Sequence, residues 1–138
     1  VRHFRWFDSG DVQSMSHLIK IVAVACLNPK VNYWLPTKEI GLVRAYRRAG
    51  GYEPPNLVIR LSAPMINQRL RGDAYGLTSM VVTSDKRPLD TDVHLCNASH
   101  TLRDGTEVTT PTAGQDLGHC GNCRACWSDI RTVAYPIH

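Results

Sequence analysis

The first sixty residues alternate between two periodicities, and that alternation limits the chain to very few folds. Residues 2–8, residues 31–36 and residues 57–61 are rich in aromatic and branched side chains and read as strands. Between the first two, Met15, Leu18, Ile19, Val22 and Cys26 recur at helical spacing, with Asp11 as the expected N-cap and Asn28-Pro29 as the stop. Between the second and third, Thr37 is the expected cap of a helix whose inner face carries Ile40, Leu42, Val43 and Tyr46. Gly50-Gly51 ends that helix, and Pro54-Pro55 leads into Leu57-Val58-Ile59-Arg60-Leu61. Strand–helix–strand–helix–strand with short gaps implies right-handed crossovers and a parallel sheet. The almost wholly apolar third strand implies a sheet covered on both faces.

Beyond residue 62 the pattern loosens. Residues 63–70 read as a short helix, residues 79–83 as a fourth strand and residues 93–96 as a fifth. Residues 101–118, rich in Thr, Gly and Asp, read as a hairpin or an irregular loop. The expected fold is α/β: a small, mostly parallel, partial-barrel-like sheet with flanking helices and an irregular cysteine-bearing C-terminal tail. With 138 residues the chain suits a single metal-binding domain, its α/β core over 1–100 and its tail over 101–138. The abrupt start on a strand is the kind of beginning expected of a piece of a larger ancestral domain.

The chemistry concentrates in the tail. Three of five cysteines lie in Cys120-Gly121-Asn122-Cys123-Arg124-Ala125-Cys126, a C-x2-C-x2-C pattern. Thiolates three residues apart on a tight loop can each reach a different iron of one cubane. Gly121, Asn122 and Ala125 leave room for backbone N–H groups beside inorganic sulfide, and Arg124 can offset the cluster's negative charge. Bacterial ferredoxins follow this spacing with a further Cys-Pro, where this chain has Ile130-Arg131. A fourth ligand must therefore come from elsewhere. Cys96, at the end of an expected strand and before the loop Asn97-Ala98-Ser99-His100, is the choice, because open α/β sheets build sites at strand carboxyl ends. Cys26, on the apolar side of the first helix, reads as a small core residue.

These residues leave three readings open. The first is an iron–sulfur protein, with [4Fe–4S] held by Cys96, Cys120, Cys123 and Cys126, serving electron transfer or another redox role. The second is a zinc-stabilised module that binds nucleic acid or protein, with Cys96, Cys120 and Cys123 joined by His119 or His100. The third is a cluster-dependent enzyme with an open iron site. A disulfide framework fits poorly, since i,i+3 neighbours bridge badly and the count is odd.

Other residues are weaker. Asp8, Asp11, Lys38, Ser62, Asn67, Ser84 and Asp85 follow expected strands and could border a site. His119 adjoins the cysteine loop, and His94 alternates with Cys96, so both can share a face. No phosphate-binding, dinucleotide-binding, nucleophile-elbow or H-E-x-x-H motif is present. The net charge of +4 is mild, and its only dense group is Arg44, Arg47 and Arg48 at a helix end, where cations also complement the dipole. Nucleic acid is therefore an unfavoured partner. No signal peptide or bilayer-length apolar run is visible, so a soluble intracellular protein is expected.

Taken together, Arg5-Trp6-Phe7-Asp8-Ser9-Gly10-Asp11, Asn32-Tyr33-Trp34-Leu35-Pro36-Thr37-Lys38, and the ending from Cys120 through Trp127 to Val133-Ala134-Tyr135-Pro136-Ile137-His138 resemble the phage gene product 88 family. The resemblance implies a partial barrel of the radical-SAM type and a viral protein of the host cytoplasm. Longer members carry a further cysteine-rich segment ahead of this region, so a shortened member keeping only the C-terminal cluster is expected. A half-barrel with an uncovered sheet edge also implies a homodimer or a redox partner protein.

Overall fold

The computed structural model describes residues 2–83, 90–110 and 112–137. Its frame is β1 (Arg2–Arg5), α1 (Met15–Leu27), β2 (Val31–Thr37), α2 (Ile40–Arg48), β3 (Leu57–Ser62), β4 (Thr78–Val82), β5 (Val93–Leu95) and β6 (Thr132–Pro136). All strand pairs are parallel, in the order β1-β2-β3-β4-β6-β5, and the sheet curls into a half-barrel. The expected α/β partial barrel is the observed fold. Among the described residues no helix is long and apolar enough to cross a membrane.

Alternation along the strands sorts side chains to two faces. Tyr33, Leu35, Leu57, Ile59 and Leu61 face α1 and α2, packing with Leu18, Ile21, Val43 and Tyr46. Their strand neighbours face the inside of the curl, where Trp34 and Val133 pack on Ala125 and Cys126. The cysteine tail thus fills the inner face, and the helices cover the outer one. On the outer face beyond the helices, Ala63, Met80, Val82 and Ala134 form a smaller cluster.

Several expectations need correction. Ser14, not Asp11, caps α1, accepting from His17 N at 3.0 Å. Asp11 instead accepts from Lys38 N at 2.8 Å and from the Thr37 hydroxyl, so it ties the entry of α1 to the turn before α2. Thr37 does accept from Glu39 N, just ahead of α2. α1 buries Leu18, Ile21, Val22 and Ala25, and it exposes Ile19 and Cys26. Its apolar residues run almost all the way round, so spacing alone cannot choose the buried stripe.

Residues 63–70 are not helical. Pro64 lacks a donor, Asn67 is left-handed at φ 62°, and Ala63 N and Asn67 N donate to Ser79 O and Val81 O instead. Arg69 then fastens this segment to Asp90 and Asp92, both at 2.7 Å. The tail is less irregular than expected, because β6 inserts between β4 and β5. The stretch from 101 to 118 is an irregular loop with isolated antiparallel bridges at Thr101–Glu107 and Leu102–Leu117. Ser84 and Asp85 lie outside the described residues.

Candidate metal centre

The sulfur site is assembled from two directions. Cys96 follows β5, its N–H donating to Ala134 O at 2.7 Å, so β6 fixes where this thiol sits. Cys120 and Cys123 lie on the loop that crosses the inner face, and Cys126 lies in the single 3-10 turn Ala125–Trp127. All four thiols border one cavity of about 340 Å3. Cys126 is buried, Cys96 half-buried, and Cys120 and Cys123 exposed.

Two contacts hold the loop in place. Trp127 Nε1 donates to Phe4 O at 3.1 Å, and its ring meets Trp34 edge-on at 5.4 Å. Gly121 stands at φ 55°, where a Cβ would come within 2.9 Å of Gly105 Cα. Its lack of a side chain therefore serves loop-to-loop packing, a reason different from approach to sulfide.

Beneath the loop lies Arg60, fully buried in β3. Its Nε donates to Cys126 O at 3.1 Å. One terminal nitrogen donates to Thr78 O at 3.2 Å and Ile130 O at 2.8 Å, the other to Ala125 O at 3.0 Å and Ser128 O at 2.9 Å. Its five donor positions are thus used on carbonyls, and among the described residues no carboxylate pairs with it. A buried cation hydrogen-bonded to carbonyls, with no carboxylate in direct contact, favours negative charge nearby. Burial itself pulls the guanidinium pKa below its ordinary value, and the neighbouring Cys126, Tyr135 and Asp129 oppose that pull.

Burial also pushes the Cys126 thiol up to about 11, opposed by its Tyr135 hydrogen bond and by Arg60. Cys126 Sγ and the Tyr135 hydroxyl are 2.9 Å apart, and burial raises the phenol as well. Cys96 is raised by burial, partly opposed by the Ala98 N–H. His94 Nε2 lies 3.6 Å from Cys123 Sγ, and His94 shares the cavity with Cys96 as their alternation implied.

The other sequence candidates fall elsewhere. His119 pairs with Asp116 at 2.9 Å and does not border the cavity, and His100 contacts Ser99. Cys26 is on the outer face of α1. Among the described residues no three His, Cys, Asp or Glu side chains are gathered as one metal ion would require. Arg60 and Tyr135 escaped the sequence reading. Arg60 had a signal, because a charge inside a strand covered on both faces must find partners.

Fold and site define a class: parallel half-barrels whose inner face is filled by a cysteine loop. The family model for Gene product 88 matches residues 1–129, and the chain belongs to this phage family. No curated protein and no solved structure matches it.

Proposed function

We propose that the chain is an iron–sulfur protein in which Cys96, Cys120, Cys123 and Cys126 hold one cluster, [4Fe–4S] by preference. The observation that carries this reading is convergence: a sheet-end thiol and three tail thiols border a single cavity. The donor chemistry fits, since thiolates are the usual ligands of such clusters. The buried Arg60 fits as well, because a cubane with four thiolates is anionic and the cation lies under the backbone of one ligand. A single zinc ion draws its thiolates to within roughly 4 Å of one another. A cubane takes each on a different iron, which suits donors spread round a cavity.

When bound, the group supplies one-electron redox chemistry. The chain's own residues hold it and shield it. Arg60 fixes the turn that carries Cys126, Tyr135 supports that sulfur, and Trp34 with Trp127 walls the site from the β1 edge. Electron transfer or another redox task inside the host cell is the proposed role, with a redox protein as partner.

The test is anaerobic reconstitution of the full chain with ferrous iron and sulfide. Brown protein carrying about four irons and four acid-labile sulfides is expected. The triple replacement of Cys120, Cys123 and Cys126 by Ser is expected to stay colourless. Wild-type protein that takes up one zinc, and neither iron nor sulfide, overturns the proposal.

A further inference from the structure

A second cavity, of about 310 Å3, opens on the same inner face toward the carboxyl ends of β2, β3 and β4. It shares no lining residue with the thiol cavity, and the two meet through the Tyr135–Cys126 hydrogen bond and the Trp34–Trp127 ring contact. Its size lies at the small end of small-molecule sites, and its place is where open α/β sheets receive ligands.

Its lining is unusual in charge. Arg5 and Lys38 border it, and no Asp or Glu does. Among the described residues neither cation forms an ion pair. The Arg5 guanidinium lies over the Trp34 ring, 5.0 Å from its centroid, which leaves its N–H fork unmatched by any anion. Trp34 is itself 6% exposed, and its Nε1 has no hydrogen-bond acceptor among the described residues. Buried donors of that kind ordinarily have a partner.

The remaining surface is apolar and partly open. Met65 and Ile66, 67% and 53% exposed, stand on the segment after β3. Ser62 and Ser79 hydroxyls lie 3.0 Å apart on the floor and satisfy each other. Two unpaired cations beside an apolar wall are matched by a molecule with one anionic end and an apolar body.

We propose that this cavity binds a small organic anion, its carboxylate or phosphate held by Arg5 and Lys38 and its apolar body laid against Met65 and Ile66. The proposal goes beyond the cluster reading and does not depend on it, because nothing in this cavity requires iron.

The experiment is calorimetric titration of the full chain, before and after cluster assembly, with phenyl phosphate and phenylacetate. Benzyl alcohol serves as the uncharged control and inorganic phosphate as the control without a body. Binding of at least one organic anion is expected, with both controls at least about tenfold weaker. Which of the two organic anions binds more tightly assigns the anionic group. Arg5→Gln and Lys38→Gln, both at exposed positions, are expected to weaken it about tenfold each. Amide chemical-shift changes are expected to centre on residues 62–66 and on Lys38. The proposal is overturned if neither organic anion binds at millimolar concentration, if benzyl alcohol binds as well as they do, or if the shifts map elsewhere. Loss of iron binding with intact anion binding would sink the cluster reading alone.

Discussion

At the scale of single residues, Arg60 and Cys126 form one electrostatic unit. Arg60→Met removes five donors at once: the bonds to the Cys126, Thr78 and Ala125 carbonyls are buried and those to Ile130 and Ser128 partly so, and of these Ala125 O keeps donors from Ser128. Leaving buried acceptors unsatisfied costs about 1–3 kcal/mol apiece before relaxation, so a loss of at least about 3 kcal/mol is expected in urea unfolding. Arg60→Lys keeps the charge with three donors and is expected to fall between the two. A methionine variant as stable as the parent would show that the tail does not rest on Arg60. The thiol gives a pH signature in the iron-free chain. Its folded pKa, about 11, lies above the ordinary 9.0, so the folded state holds the proton more tightly. The corresponding stability is complete below pH 9 and is lost as pH rises toward 11. Tyr135 is raised too and acts in the same direction, so the comparison must isolate Cys126. Relative to Cys126→Ser, the parent is expected to lose up to about 2 kcal/mol between pH 8.5 and 10.5, measured by denaturation under reducing conditions. Parallel pH profiles for the two proteins would contradict the buried, protonated thiol.

At the scale of elements, the cysteine loop is held by backbone proximity as much as by side chains. Gly121→Ala brings two penalties: a left-handed φ of 55° and a Cβ 2.9 Å from Gly105 Cα. Gly114 is also left-handed, at 86°, but faces open space, so Gly114→Ala carries the conformational penalty alone. Gly121→Ala is expected to be the more destabilising by about 1–2 kcal/mol, with lower iron loading that Gly114→Ala does not share. Equal thermal shifts would mean that the two loops do not pack. The same scale explains what the chain made legible. The β1-to-β3 unit could be seen because each element is local, and its period and stop residues, such as Gly50-Gly51, agree. The face of α1 could not, because only tertiary packing picks Leu18 and Ile21 over Ile19 and Cys26. The false helix at 63–70 had apolar spacing, but its N–H groups were claimed by β4 carbonyls that local sequence does not reveal. Thr132-Val133-Ala134-Tyr135 had strand character, yet its place between β4 and β5 is a long-range fact. That Cys96 shares a cavity with the three tail cysteines was legible from spacing and strand-end logic, whereas the Arg60 support needed the tail's position.

At the scale of the whole molecule, the site depends on the order in which strands join the sheet. Among the described residues β5 is an edge strand whose one strand partner is β6, and Cys96 follows directly from it. β6 therefore places the one cavity thiol that does not belong to the cysteine loop. Deleting residues 131–138 keeps every cysteine but removes the partner of β5 and the Ala134 carbonyl that receives the Cys96 N–H. Such a chain is expected to lose cluster loading at least as completely as Cys96→Ser, even though its C-x2-C-x2-C motif is intact. The α1–α2 side of the sheet draws its core from residues 12–61 and is expected to keep much of its protection in hydrogen exchange. Cys26→Ser, far from the cavity, is expected to load like the parent. Iron and sulfide content of the three variants, read beside exchange protection of β3, separates loss of a ligand from loss of the fold. Full loading of the shortened chain would mean that the tail trio finds its fourth ligand without the sheet, and the assignment of Cys96 would fall with it.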